Sequence, residues 1–207
     1  MTIYLMRHGE TIMNHEERLQ GQIDAELNDT GIAEARKAAK IIAGAGIQFD
    51  RIYSSPLKRA MQTAEIVAAG KPVTVEPLIT EMHFGSYEGM PYSRIDEKMW
   101  AFIHDPENVA PPEGVESIGS LTARTGRFLD SLISAGKGEC VLAVTHGIAL
   151  RSMLRNLCDE KDRHGVWGMP IGNCVMYRVD AENGRVAGVR KADELSQRIE
   201  NDTSGVF

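Results

Sequence analysis

Arg7 and His8 open the run Arg7-His8-Gly9-Glu10-Thr11, Arg59 follows Ser55-Pro56, and His146 sits within Thr145-His146-Gly147. Each alone has an ordinary explanation, since a single histidine behind a strand is usually a hydrogen-bonded structural residue and a single arginine is usually solvated. Taken together they lack one. Two histidines and two arginines meeting in a small volume would repel one another as cations unless an anion sat among them. A phosphoryl group is the natural anion, because guanidinium matches its oxygens in bidentate fashion and a helix start behind Ser55 adds backbone donors. Phosphoryl transfer asks mostly for positioning and charge neutralisation, and such a cluster supplies both without a metal.

The elements that must position these residues are short β-rich runs alternating with amphipathic helical stretches. This pattern predicts an α/β fold: a three-layer sandwich with a mostly parallel central sheet, helices on both faces and a small helical and loop cap insertion. Strands are expected at Ile3 to Met6, Arg51 to Ser54, Val73 to Val75 and Cys140 to Val144. A helix capped by Thr30 carries Ile32, Ala35, Ala39 and Ile42 on one side and ends at Gly44 or Gly46. Another starts at Ser55-Pro56, with Arg59 in or beside its first turn, and runs to Gly70. Arg7-His8, Arg59 and His146 each follow a strand directly or through the first turn of the next helix. Parallel packing would therefore deliver them to the carboxyl edge of the sheet, where α/β proteins bind ligands. Residues 91–117, with Trp100 and Phe102 on a helix before a Pro- and Gly-containing loop, form the cap or rim. Val175 to Val179 and Val186 to Val189 around Asn183-Gly184 read as a hairpin, and the tail beyond Lys191 is polar with a possible helix. With no repeat or linker, residues 1–207 read as one domain.

Composition narrows the partners. With 43% hydrophobic residues, a formal net charge of -6 and a pI near 5.6, the chain suits a soluble protein without general affinity for nucleic acid or anionic membrane. No apolar run approaches the ~20 residues needed to span a bilayer, and the start of the chain does not read as a signal peptide. Cys140, Cys158 and Cys174 are widely spaced and read as reduced thiols in a cytoplasmic protein. His15, His83, His104 and His164 fit no metal spacing, so neither metal nor other cofactor is expected. The expected partner is a small phosphorylated metabolite, bound by a monomer or homodimer.

The run Arg7-His8-Gly9-Glu10-Thr11 with Asn14 resembles the signature of the histidine phosphatase superfamily, to which phosphoglycerate mutases also belong. The resemblance continues through Gln20-Gly21, Leu27, Gly31, Ser54-Ser55-Pro56-Leu57, Arg59-Ala60, Gln62-Thr63-Ala64, Glu81, Gly85, Glu88-Gly89 and Thr145-His146-Gly147. It spans the chain to about Asn173 in the family's order and spacing. It implies a phosphohistidine at His8, a phosphate pocket from Arg7, Asn14, Arg59 and His146, and Glu81 as general acid and base. Gln20, Gly21 and Gly147 are further candidates for substrate contact, and the pattern gives Glu10 and Glu88 structural roles. His8 must be unprotonated to attack, and repulsion from Arg7, Arg59 and His146 is expected to keep it so.

Where mutases resembling this family carry Glu-Arg-His-Tyr-Gly, this chain has Glu81-Met82-His83-Phe84-Gly85, so Met82 is expected to remove a cation near the substrate. That change and the short rim favour a phosphatase over a cofactor-dependent phosphoglycerate mutase. A catalytically inactive phosphate- or phosphoprotein-binding module is the alternative from another class; retention of His8 and Glu81 argues against it. The Glu-Met-x-Phe-Gly run is similar to that of α-ribazole phosphatases, but related runs occur in broad phosphatases and fructose-2,6-bisphosphatases. Gly114-Val115-Glu116-Ser117 resembles a family segment reading Gly-Gly-Glu-Ser, and Val115 is expected to restrict the rim's backbone.

Overall fold

The first strand, β1 (Thr2–Arg7), is apolar on both faces and buried along its middle, as is β4 (Cys140–Thr145), which suits strands covered from both sides. In the computed structural model, which describes residues 1–135 and 138–192, they pair in parallel at the centre of a six-stranded sheet. β2 (Arg51–Ser54), β3 (Thr74–Val75) and the hairpin of β5 (Met176–Glu182) and β6 (Arg185–Lys191) complete it in the order β3-β2-β4-β1-β5-β6. The pairings from β3 to β1 are parallel, and the hairpin joins antiparallel to β1. The readings made for the tail and for the His164 side chain lie outside the described residues.

Helices cover both faces. Ala35, Ala38 and Ile42 of α2 (Asp29–Gly44) and Ala60, Ala64 and Val67 of α3 (Lys58–Ala68) pack on Tyr4, Met6, Leu142 and Val144. Phe128, Leu129 and Leu132 of α5 (Ile118–Ala135) and Leu150, Met153 and Leu154 of α6 (Gly147–Leu157) cover Ile3, Leu5, Val141 and Ala143. A single turn, α1 (Ile12–His15), follows β1. Alternate side chains of one strand thus feed two cores, which makes three layers.

The rim forms a third apolar cluster. Met99 and Phe102 of α4 (Glu97–His104) join Leu19, Met82, Phe84, Val115 and Leu121 there. Its base is stitched to the segment after α1 by Gly89 N–H to Leu19 O at 2.7 Å, Leu19 N–H to Met90 O at 3.0 Å and Tyr92 N–H to Glu17 O at 2.8 Å.

Local chemistry corrects the helix starts. Asn28, not Thr30, caps α2: its Oδ1 accepts the Gly31 N–H at 2.8 Å, and its Nδ2 donates to Glu10 Oε1 at 2.7 Å. The buried stripe correspondingly runs through Ala38 rather than Ala39. Leu57 precedes α3 without a side-chain cap of its own; the Ser55 hydroxyl accepts the Leu57 N–H only at 3.4 Å and meets His146 Nε2 at 2.7 Å. That helix ends where Ala69 and Gly70 turn left-handed, at φ 50° and 92°. Met82 and Val115 are core residues of the rim, so Met82 does not stand for a cation missing from the substrate site. Asn28→Ala should lower unfolding free energy by about 1 kcal/mol or more, the usual cost of a lost cap, while exposed Thr30→Ala changes it by less than about 0.5 kcal/mol. Urea titration of the two variants checks this.

Candidate active site

Register brings the ends of three parallel strands level: Arg7 pairs with Thr145, and Ser54 with Val144. The next backbone groups continue the ladder, with His8 N–H donating to Thr145 O and Ser55 N–H to Val144 O, both at 3.0 Å. His8, Ser55 and His146 therefore leave the sheet side by side. Thr11 caps α1 in a reciprocal box with Asn14, which fixes the Asn14 side chain near the sheet edge.

Arg59 joins the two imidazoles. Its Nε lies 3.2 Å from His8 Nε2 and 3.2 Å from His146 Nδ1, while Nη1 and Nη2 donate to Ile23 O and Gly21 O at 2.7 Å each. His8 Nδ1 is 2.7 Å from Gly9 O and donates to it, which leaves Nε2 as the nitrogen with a lone pair. Arg59 Nε can only donate, so His146 Nδ1 is the acceptor facing it, and Nε2–H donates to the Ser55 hydroxyl at 2.7 Å. The two rings stand 5.2 Å apart.

Burial dominates the electrostatics. It pushes His8 well below the ordinary histidine pKa, with further lowering by Arg59 and Arg7. His146 is lowered for the same first reason, then by Arg59 and His8. Like-charge repulsion alone was the sequence-based expectation for His8. Desolvation proves the larger cause, and His146, itself held neutral, is not among the residues that lower it. Burial also pulls Arg59 down to about 10, so it stays charged at neutral pH.

Glu81 closes the other side. Its Oε1 accepts N–H groups of Met82 and Ala149 at 2.9 Å each, and Oε2 accepts Ile148 N–H at 3.2 Å, which places the carboxylate at the N-terminus of α6. A Cβ on Gly147 would lie 3.9 Å from Glu81 Oε2 and 3.8 Å from Arg7 Nε, so this glycine leaves the gap between acid and cation open. Among the described residues that Nε is buried without a hydrogen-bond partner, although Arg7 Nη1 donates to Ile171 O. An unpartnered cationic N–H is costly, and an incoming oxyanion would satisfy it.

One cavity of about 260 Å³ gathers Arg7, His8, Asn14, Gln20, Gly21, Arg59, Glu81 and Gly147. His146 is brought close but lies beneath the cavity rather than in its wall. Glu10 and Glu88 stay outside it. Glu10 binds Asn28, and Glu88 Oε1 accepts the N–H groups of Gln22 and Phe84 at 3.0 Å each. His83 contacts Gly114 O at 3.1 Å and faces outward, and His15 and His104 are exposed.

Residues 3–194 match the histidine phosphatase superfamily, branch 1. The chain belongs to that superfamily. It is 34% identical over 186 residues to a Yersinia pestis protein named "Probable phosphoglycerate mutase GpmB", covering 87% of this chain and 85% of that one. Its structure resembles that of Entamoeba histolytica phosphoserine phosphatase in complex with 3-phosphoglyceric acid, with TM-score 0.79, 27% identity and coverage of 94% and 98%. It also resembles mycobacterial glucosyl-3-phosphoglycerate phosphatase with VO3, with TM-score 0.81, 25% identity and coverage of 92% and 97%.

This superfamily member has a cavity wall in which Phe84 of the Glu81 motif is joined by residues outside the motifs: Arg18, Leu19, Tyr92, Trp100, Ile103, Ile148, Arg151 and Ile171. Arg151 was legible in principle, since it lies four residues after Gly147 on a helix and so shares its face. Tyr92, Trp100 and Ile103 come from the rim, whose approach to the sheet edge is a tertiary fact.

The depressed histidines set a sign for stability against pH. Below about pH 6.5 the unfolded chain binds protons that native His8 and His146 refuse, so stability is full above that value and lost as pH falls toward their native values. Each can contribute up to about 1.4 kcal/mol per pH unit. Urea midpoints should fall from pH 7 to 5.5, and His146→Asn should reduce the slope; an equal slope would show that His146 does not resist protonation.

Proposed function

We propose that this superfamily member is a metal-independent phosphatase that hydrolyses small phosphomonoesters through a phosphohistidine on His8, with Glu81 as general acid and base. One observation carries the reading: an uncharged His8 Nε2, its tautomer fixed by Gly9 O, faces the same cavity as Arg7, Arg59 and Glu81.

Nε2 attacks phosphorus while the ester P–O bond breaks, and a proton from Glu81 goes to the departing oxygen. Arg7, Arg59 and Asn14 take the non-bridging oxygens, with His146 at their back through Arg59. In the second half, Glu81 takes a proton from water as that water attacks phosphorus, and the N–P electron pair returns to Nε2. The proton count closes, with one carboxyl serving both halves.

The outer wall supports a substrate class. Arg18 and Arg151 stand beside apolar Leu19, Phe84, Trp100 and Ile103, which suits a compact phosphate ester with a second anionic group. The relatives named for phosphoglycerate, phosphoserine and glucosyl-3-phosphoglycerate fit a phosphorylated carboxylic acid. The GpmB relative favours a second reading, a phosphoglycerate mutase, and with Met82 in the core the missing-cation argument no longer separates the two. Hydrolysis is preferred because the structural neighbours are named phosphatases.

Phosphate release should be measured over a chromogenic ester, phosphoglycerates, phosphoserine, α-ribazole phosphate and fructose bisphosphates. Wild type should release phosphate and carry acid-labile label during turnover, and His8→Ala should lose both, by about a thousandfold or more in rate. Faster exchange between 2- and 3-phosphoglycerate than phosphate release would establish the mutase. Silence on every ester would return the binding module.

Arg151→Met should raise KM for 3-phosphoglycerate about tenfold or more, the size of a lost charge-assisted hydrogen bond. The effect should shrink on p-nitrophenyl phosphate, which has no carboxylate. Equal effects on both esters would remove Arg151 from carboxylate recognition.

A further inference from the structure

The loop carrying Glu81 has no regular secondary structure after the turn Pro77–Ile79, so its carbonyls need partners from elsewhere. Side chains capture four in succession. Arg124 on α5 donates Nη1 to Leu78 O at 2.8 Å and Thr80 O at 2.6 Å, and Nη2 to Glu81 O at 3.0 Å. The Thr145 hydroxyl donates to Ile79 O at 2.7 Å, and the Gln22 amide also reaches Glu81 O at 2.9 Å.

The rest of the guanidinium goes to Glu116 at the end of the rim: Nε to Oε1 at 2.8 Å and Nη2 to Oε2 at 2.9 Å. All five of its N–H groups are thereby used. Glu116 then accepts His83 N–H at 3.3 Å and returns its own N–H to His83 O at 2.8 Å. Burial opposes the charge on Glu116, and Arg124 overcomes it, holding the carboxyl below its usual range. The pair grips the main chain on both sides of Glu81, yet neither side chain lines the cavity.

We infer that Arg124 and Glu116 are positioning residues for Glu81, fixing the backbone from which its carboxyl protonates the leaving oxygen. This rests on Glu81 being the acid of the proposed mechanism. In that step the ester P–O bond breaks as the bond from His8 Nε2 forms, and the Glu81 proton leaves with the alcohol. A displaced acid harms an ester in proportion to its leaving group's need for that proton. An alkyl phosphate needs it; p-nitrophenyl phosphate, whose phenolate departs readily, needs it far less.

The test compares kcat/KM for 3-phosphoglycerate, or failing that glycerol phosphate, with kcat/KM for p-nitrophenyl phosphate. The proteins are wild type, Arg124→Lys, Glu116→Gln and Glu81→Gln. The ratio of the two esters reports the first half-reaction and does not depend on the fraction of protein folded. It should fall about tenfold or more in Arg124→Lys and Glu116→Gln, and further in Glu81→Gln, while vanadate inhibits all four within about threefold. An unchanged ratio in the pair variants with a lowered one in Glu81→Gln overturns the positioning role and leaves the acid standing. An unchanged ratio in Glu81→Gln overturns the acid assignment and this inference with it. Vanadate binding lost in step with activity overturns it also, because the pair would then support the phosphate pocket.

Discussion

A guanidinium withdrawn almost completely from water is the constraint on which this site depends. Arg59 is 1% exposed, and a buried cation is tolerable only if its donors are met. Two backbone carbonyls meet one N–H of each Nη and two imidazole nitrogens share the single Nε–H, so among the described residues three of the five donors are engaged and one on each Nη is left for an incoming oxyanion. The imidazoles can do so only while uncharged, so satisfying Arg59 and keeping a lone pair on His8 Nε2 are one requirement. The carbonyls impose a second condition. The chain must turn sharply at residues 21–23, and Gly21, at φ +55°, allows it. A side chain at Gly21 would collide with Glu88, which holds the amides of Gln22 and Phe84 and so ties that turn to the rim.

The frame of this arrangement was legible in the sequence, because its signals are local and periodic. Doubly apolar strands, alternation with amphipathic helices and polar residues placed directly after strand ends fix a mostly parallel sheet and the edge that carries the candidate site. Local signals failed where two residues could do one job. Asn28 and Thr30 are both competent caps, and the choice fell to Asn28 because its amide also reaches Glu10, eighteen residues earlier. Ser55 reads as a cap, yet its hydroxyl serves His146 across the sheet. Met82 occupies a position next to the acid, but backbone direction turns it into the rim core. The cavity's outer wall and the link from Arg124 to Glu116 are made by residues far apart in sequence, with nothing periodic to announce them.

The proposed nucleophile and the proposed acid are delivered by different means. His8 extends a central strand whose hydrogen bonds run to neighbours on both sides, so its backbone is fixed by the sheet itself. Glu81 comes from an irregular loop, where backbone groups would ordinarily turn to water and move. In this loop side chains of α5, β4 and the 20–23 turn replace the missing ladder. The substitution has a use. A loop can bring a carboxyl in from the side opposite the sheet edge, across the gap left by Gly147, which no strand of the same parallel set could do.

The charges then divide the work in a way that favours arrival of an anion. If both histidines were protonated, the floor would hold four cations, and counter-ions would compete for it at all times. Desolvation removes two of those charges. What remains is two arginines opposite one carboxylate, with the buried Nε of Arg7 still lacking a partner among the described residues. A dianionic phosphoryl group would satisfy that donor, close to a His8 Nε2 that carries no proton. Burial, usually a cost for polar groups, thus keeps both imidazoles neutral and leaves the arginines as the attraction for an anion.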